Sequence, residues 1–213
     1  MVREFFTSRA DGNLALHVGD DPELVSQNRL ALSTQLGLPA HHVKYMNQVH
    51  GNDVGIVDKD SPLVTADALF TTEKDIALVV LVADCIPILL YSERAIAAVH
   101  VGRQGLVKNI IDSTINAFHG IGDREINATI GPAICGACYE VSPEMYREVI
   151  AEFPACATHD KDHSLNLISG AISQLEKHGV HITNQSRCTR ESSDLYSYRA
   201  DKHCGRFAGV ISW

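Results

Sequence analysis

The chain has 213 residues, of which 45% are hydrophobic and 21% charged, enough apolar material for one sizeable core in a single domain spanning 1–213. A formal net charge of −8 opposes general attraction to nucleic acid or anionic membrane, and favours a small, neutral or weakly charged substrate, with any phosphate held by a local arginine cluster. Residues 1–9 lead into no signal-type apolar segment, and the longest apolar run, 76–91, is broken by Asp84 and Pro87 short of the roughly 20 residues that span a bilayer, so a soluble, cytoplasmic protein is expected.

In chain order, residues 3–9 and 14–18 read as extended. Asp21 then caps a helix that opens with Pro22, carries Leu24, Val25, Leu32 and Leu36, and closes at Gly37. Strands are expected over 43–49, 53–57, 66–71, 76–83, 86–91 and 95–99, punctuated by Gly51, Pro62 and Pro87. A single helix should start after Gly102, turn Leu106, Ile110, Ile111 and Ile115 to the core, and stop at Gly120. Further helices fit 143–153, from the Ser142-Pro143 cap signal, and 167–178, closed by Gly179, with strands at 125–130, 180–183 and 206–213. Crowded strands with interspersed helices imply an α+β fold, a strand-rich core of packed sheets flanked by helices. Gly51-Asn52 and Gly131-Pro132 are ordinary turns, and no phosphate-binding glycine fingerprint is present.

His50, Cys85 and His100 each sit where an apolar run ends, so two imidazoles and a thiol can meet at one sheet edge. Two nitrogens and a sulfur with a fourth position free suit catalytic zinc. Singly, each has a plainer reading: a packed cysteine, or a histidine hydrogen-bonded beside a glycine turn. Asp84, directly after an apolar strand, needs a partner or solvent and so suggests a polar pocket. The six cysteines fit reduced thiols or ligands better than disulfides. Cys135-Gly136-Ala137-Cys138 has no second C-x-x-C, so Cys188 and Cys204 would have to complete a structural zinc site from a distance; unliganded thiols are the simpler reading, and His50, Cys85 and His100 stand as the one convincing ligand set. The aromatics and cations of 195–199 and Arg206 fit either a salt-bridged surface strand or recognition of an anion or nucleoside.

Taken in order, Leu14-Ala15-Leu16-His17-Val18-Gly19-Asp20-Asp21-Pro22, Gln48-Val49-His50-Gly51, Thr65-Ala66-Asp67-Ala68-Leu69, Ala83-Asp84-Cys85-Ile86-Pro87, Val99-His100-Val101-Gly102, Gly131-Pro132-Ala133-Ile134, Cys138-Tyr139-Glu140-Val141 and Tyr196-Ser197-Tyr198-Arg199 resemble the YfiH family, also called the laccase-domain or multicopper polyphenol oxidoreductase family. The resemblance implies an α/β sandwich, a fold likened to cysteine-dependent toxin deamidases. It implies one zinc on His50, Cys85 and His100, with copper as the other candidate. The implied chemistry is phosphorolysis of adenosine, inosine and S-methyl-5'-thioadenosine, with adenosine deaminase activity in the same site. In that frame Asp84 or Asp67 serves as general acid or base, Arg103 and Arg199 orient phosphate, and Gln48 or Asn13 holds sugar or base. The partners are then a purine nucleoside and phosphate, with no nucleic acid or membrane.

Rival readings are a copper-dependent, laccase-like polyphenol oxidase, a hydrolase editing a peptidoglycan precursor, a thiol hydrolase using Cys85 with His100 as base, and a metal-stabilised binding module without catalysis. Two departures bear on substrate preference: Val101-Gly102-Arg103-Gln104-Gly105 stands where the family has Ala-Gly-Trp-Arg-Gly, and Cys204-Gly205-Arg206 where it has Thr-Gly-Arg.

Overall fold

A computed structural model of the chain describes residues 1–158 and 163–213. Strand β1 (Arg3–Phe6) is followed by helix α1 (Pro22–Leu36), which begins and ends where its cap residues dictate. The Asp21 carboxylate accepts the Glu23 N–H at 2.9 Å, and Gly37 adopts the left-handed conformation that ends the helix. Between them, 14–18 is a loop and not the expected extended segment. Asn13 Oδ1 accepts the Ala15 N–H at 3.0 Å and its amide donates to the Ala15 carbonyl at 3.0 Å, so a local side-chain turn takes the bonds a ladder would use.

Residues 43–49 likewise split, into β2 (Val43–Lys44) and β3 (Met46–Asn47), which enter different sheets. Then come β4 (Val54–Ile56), β5 (Val64–Thr65), β6 (Ala68–Thr71), β7 (Ala77–Val82), β8 (Ile86–Tyr91) and β9 (Ile96–Val101). The single helix expected after Gly102 is two, α2 (Arg103–Val107) and α3 (Ile110–Gly120), broken where Asn109 takes a φ of 62°. The rest is β10 (Asn127–Ile130), α4 (Pro143–Glu152), α5 (Leu167–Lys177), β11 (His181–Asn184) and β12 (Phe207–Ser212).

One sheet has the order β1-β12-β7-β2, a second β11-β10-β8-β9-β6-β4, and β3 pairs with β5. The period-2 alternation of the strands explains how the layers stack. Ala77, Val79 and Leu81 of β7 pack with Leu32 of α1, while Leu78, Val80 and Val82 meet Leu69, Leu89, Ile96 and Ala98 of the six-stranded sheet. That sheet's other face, including Ile86, Ile88, Leu90 and Val99, packs on Leu106, Ile111, Phe118, Val149 and Ala171 of α2 to α5. The result is an α+β sandwich of helix, sheet, sheet and helices. Fully burying a side chain such as Leu78 or Ile88 stabilises it by about 1.5–3 kcal/mol. Among the described residues no helix is long and apolar enough to cross a membrane.

Because β7 lies in one sheet and β8 in the other, Ala83-Asp84-Cys85 is the crossing between layers. The chain must turn sharply there, and Asp84 does so with φ at 95°.

Candidate metal centre

Asp67, fully buried just before β6, organises the site. Its carboxylate accepts the backbone N–H groups of Val49 at 3.2 Å, His50 at 2.9 Å and Gly51 at 2.6 Å, fixing a loop in which His50 takes a φ of 57°. The same Oδ1 lies 2.8 Å from Nδ1 of His100, the next-to-last residue of β9. With the carboxylate ionised, His100 donates from Nδ1, which leaves Nε2 as the nitrogen a metal would take up on displacing its proton. Burial works against ionisation of Asp67, but the hydrogen bonds from His100 and the loop N–H groups outweigh it and hold the carboxyl below its usual range.

Cys85, delivered by the crossing between sheets, has Sγ 3.8 Å from His50 Nε2. The two imidazole centroids are 4.7 Å apart, and the donor atoms of His50, Cys85 and His100 lie within 4.8 Å of one another. Gly102 leaves room for this cluster: a Cβ there would sit 2.9 Å from His50 Cδ2 and 3.0 Å from Cys85 Sγ. Burial opposes a charged thiolate at Cys85, yet the charge and hydrogen bonds of His100 and His50 bring its pKa down to about 6. Burial also opposes protonated His100, but the Cys85 charge and Asp67 bring it up to about 9. Two imidazoles and an ionisable thiol, one imidazole held by a carboxylate, are a donor set that fits zinc with one position left over.

The cluster opens into a cavity of about 480 Å³ whose walls include His17, Gln48, Asp84, Tyr139, Tyr198, Arg199 and Arg206. A cleft of similar volume, about 500 Å³, lies beside Lys44 and Tyr45, but there the Lys44 ammonium is spent on the Lys59 and Ser61 carbonyls. Of the residues expected from sequence, His50, Cys85, His100, Asp84, Gln48 and Arg199 all line the 480 Å³ cavity. Asp84 is a brace: one carboxylate oxygen accepts from Thr189 Oγ1 at 2.6 Å and the other from the Arg199 N–H at 2.6 Å. Gln48 ties to the Leu81 N–H and carbonyl at 2.9 and 2.8 Å. Arg199 donates to the Glu140 carbonyl at 2.9 Å, with its guanidinium 5.2 Å from the Tyr139 ring centre.

Two expected residues are set back from the cavity lining. Asn13 is buried, bonded to Ala15, Asp20 and the Arg206 N–H. Arg103 opens α2, and while burial opposes ionisation of the Tyr139 phenol, the positive charge of Arg103 favours it. Sequence reasoning did not single out Tyr139 and His17, although both lie inside the quoted motifs, and it offered Asp67 as an acid or base without seeing it as the carboxylate that orients His100. His17 is held below the usual histidine range by burial and by the charges of Arg206 and Arg29.

The family described as multi-copper polyphenol oxidoreductase laccase matches residues 5–213. A purine nucleoside phosphorylase of Streptomyces coelicolor is 44% identical over 209 residues, covering 93% of this chain and 86% of its own. One of Corynebacterium glutamicum is 42% identical over 230 residues, covering 99% of this chain and 94% of its own. The crystal structure of the Bacillus licheniformis hypothetical protein YfiH superposes with a TM-score of 0.90 at 25% identity, covering 99% of this chain and 92% of that one.

Proposed function

The chain belongs to the multi-copper polyphenol oxidoreductase laccase family, and from that membership we propose that it is a zinc-dependent purine nucleoside phosphorylase acting on adenosine, inosine and S-methyl-5'-thioadenosine, with adenosine deamination in the same site. The observation that carries this reading is a single cavity in which His50, Cys85 and His100 share the walls with Arg199, Arg206, Tyr139 and Tyr198. The reading includes one domain over 1–213, a cytoplasmic location and small-molecule partners, in keeping with the net charge of −8.

His50, Cys85 and His100 hold the zinc, which when bound supplies Lewis acidity to the cavity. Arg199 and Arg206 offer two guanidinium forks, the geometry that takes up a phosphate in paired hydrogen bonds. Phosphorolysis needs that phosphate lined up on C1′ of the ribose while the bond to the purine breaks, so fixing the forks lowers the cost of alignment. Asp84 contributes here by holding the Arg199 backbone and Thr189 in place. Tyr139 and Tyr198 present flat apolar faces against which a purine ring can stack. Asp67 keeps His100 in one tautomer throughout.

The test is a phosphate-dependent assay on the three nucleosides, following free base and inosine separately, on wild type and His50→Ala. Base release that requires phosphate, with zinc and turnover lost together in the variant, is the expected result. Zinc-loaded wild type that releases no base would overturn the reading.

One observation favours a second reading. Asp67, His100 and Cys85 line up as carboxylate, imidazole and thiol, the arrangement of a thiol hydrolase. That chemistry would survive complete chelation of metal and be lost on alkylation of Cys85.

A further inference from the structure

A second group of thiols converges away from the first. Cys135 and Cys138 come from the turn after β10, Cys188 and Glu191 from the segment after β11, and their donor atoms lie within 4.8 Å of one another. We propose that Cys135, Cys138, Cys188 and Glu191 hold a second zinc ion in a closed, four-ligand structural site. This site does not depend on the phosphorylase reading.

Four observations support it. First, tetrahedral zinc with bonds of about 2.3 Å to sulfur and about 2.1 Å to oxygen needs edges of about 3.8 and 3.6 Å. Cys138 Sγ already stands 3.6 Å from Glu191 Oε1. Second, the spacing is that of two metal knuckles, Cys-x-x-Cys and Cys-x-x-Glu, with a carboxylate in the place that the sequence alone suggests for Cys204. Cys204 is elsewhere, its sulfur accepting from Arg206 at 3.7 Å.

Third, the backbone wraps the sulfurs as a knuckle does. The Cys188 sulfur accepts the Cys135 N–H at 3.4 Å, while the Cys135 carbonyl accepts from Cys138 and Tyr139, each at 3.1 Å. Fourth, the two arms are already aligned by a parallel bridge between Ala133 and Cys188. Three thiols and a carboxylate crowded into one half-buried spot are mutually repulsive as anions, and a divalent cation resolves that by taking up their charge as the thiols release protons. Thiolate softness selects zinc over magnesium or calcium. With four protein ligands the ion has no position open for substrate, so its role is to staple.

What it staples is the cavity wall. Tyr139 directly follows Cys138, Thr189 directly follows Cys188, and Thr189 holds Asp84 beside the first metal centre. The Ile134 N–H also reaches the Asp84 carbonyl, at 3.0 Å. The two clusters are thereby joined through the Thr189–Asp84 hydrogen bond.

The full-length protein, purified from zinc-supplemented cells, tests this by elemental analysis. Wild type should carry about two zinc ions per chain, and the double variant His50→Ala/Cys85→Ala should keep about one. Cobalt replacing zinc in that double variant should give the intense bands of tetrahedral cobalt thiolate, and adding Cys188→Ala should abolish them. Glu191→Gln, which spares the fold, should lose its metal to a chelator at least about 10-fold more readily. A double variant that retains no metal, cobalt bands indifferent to Cys188→Ala, or a native mass lighter by two hydrogens, as a disulfide among these thiols would give, would each overturn the proposal.

Discussion

Asp67→Asn is the most informative single change, because the structure fixes what an isosteric amide can and cannot do there. Oδ1 accepts from the His50 N–H and His100 Nδ1, and Oδ2 from the Val49 and Gly51 N–H groups. An asparagine that turns its NH2 toward the Oδ2 partners orphans two buried N–H groups, at about 1–3 kcal/mol each. The other orientation orphans only the His50 N–H, and His100 adapts by accepting at Nδ1. That second arrangement is the cheaper, so the variant should fold with a stability loss of about 1–3 kcal/mol. Its cost falls on function: His100 then carries its proton on Nε2 and has no lone pair for a metal. Zinc affinity should fall at least 10–100-fold, about 1.4–2.7 kcal/mol, the range for losing an orienting carboxylate. Competition with a chromogenic chelator gives the affinity, and urea melts of the metal-free protein give the stability separately. Zinc affinity within about twofold of wild type, alongside the expected loss of stability, would refute the reasoning and leave Asp67 as a loop anchor only.

Arg199→Lys keeps a charge but removes the fork, so the KM for phosphate should rise about 10-fold or more while the KM for nucleoside changes little, as initial rates against each substrate will show. Gly170→Ala sets helix propensity against space. Alanine gains about 1 kcal/mol in α5, but its Cβ would lie 2.3 Å from Cys156 Sγ, and such overpacking costs about 1–3 kcal/mol. Urea denaturation should show net destabilisation, relieved in Gly170→Ala/Cys156→Ala. Burial opposes ionisation of Asp123, but hydrogen bonds from Ser92 and Arg94 prevail and hold its carboxyl below the usual range. That stability is present above the unfolded-state value of about 4 and is lost as pH falls through the lower folded value. Asp123→Asn should therefore flatten the dependence of the urea midpoint on pH below about 4.

Helix α1 was legible to the residue because its signals are local: Asp21, Pro22 and Gly37 act within a turn of themselves. The strands β7 and β8 were legible because apolar runs serve two buried faces, and Asp84 marks where the chain changes sheet. The convergence of His50, Cys85 and His100 was expected from apolar runs meeting polar ends, and their donor atoms lie within 4.8 Å of one another. His100 differs in lying inside β9 and not after it. What sequence could not give was whatever depends on distant partners. The break at Tyr45 arises because β2 and β3 pair with different strands, and Asn109 breaks the helix within a segment that reads as continuous. Asp67 gives no sign of its role until 49–51 and His100 close around it. The convergence of Cys135, Cys138, Cys188 and Glu191 escaped the sequence for the same reason, since Cys138 and Cys188 are fifty residues apart along the chain.

The position of β12 between β1 and β7 sets a schedule for assembly. Arg3 pairs with Ser212 and Phe6 with Gly209, so the N-terminal strand waits for a partner made roughly 200 residues later. Until then β1 and β7 each lack the neighbour they share, and the apolar faces of Leu78, Val80 and Ile96 lack Phe207 and Ile211. A nascent chain is thus unable to seal its middle layer before residue 212 leaves the ribosome. Interrupted synthesis would release unpaired strand edges and uncovered apolar faces, the kind of surface through which partly made chains aggregate.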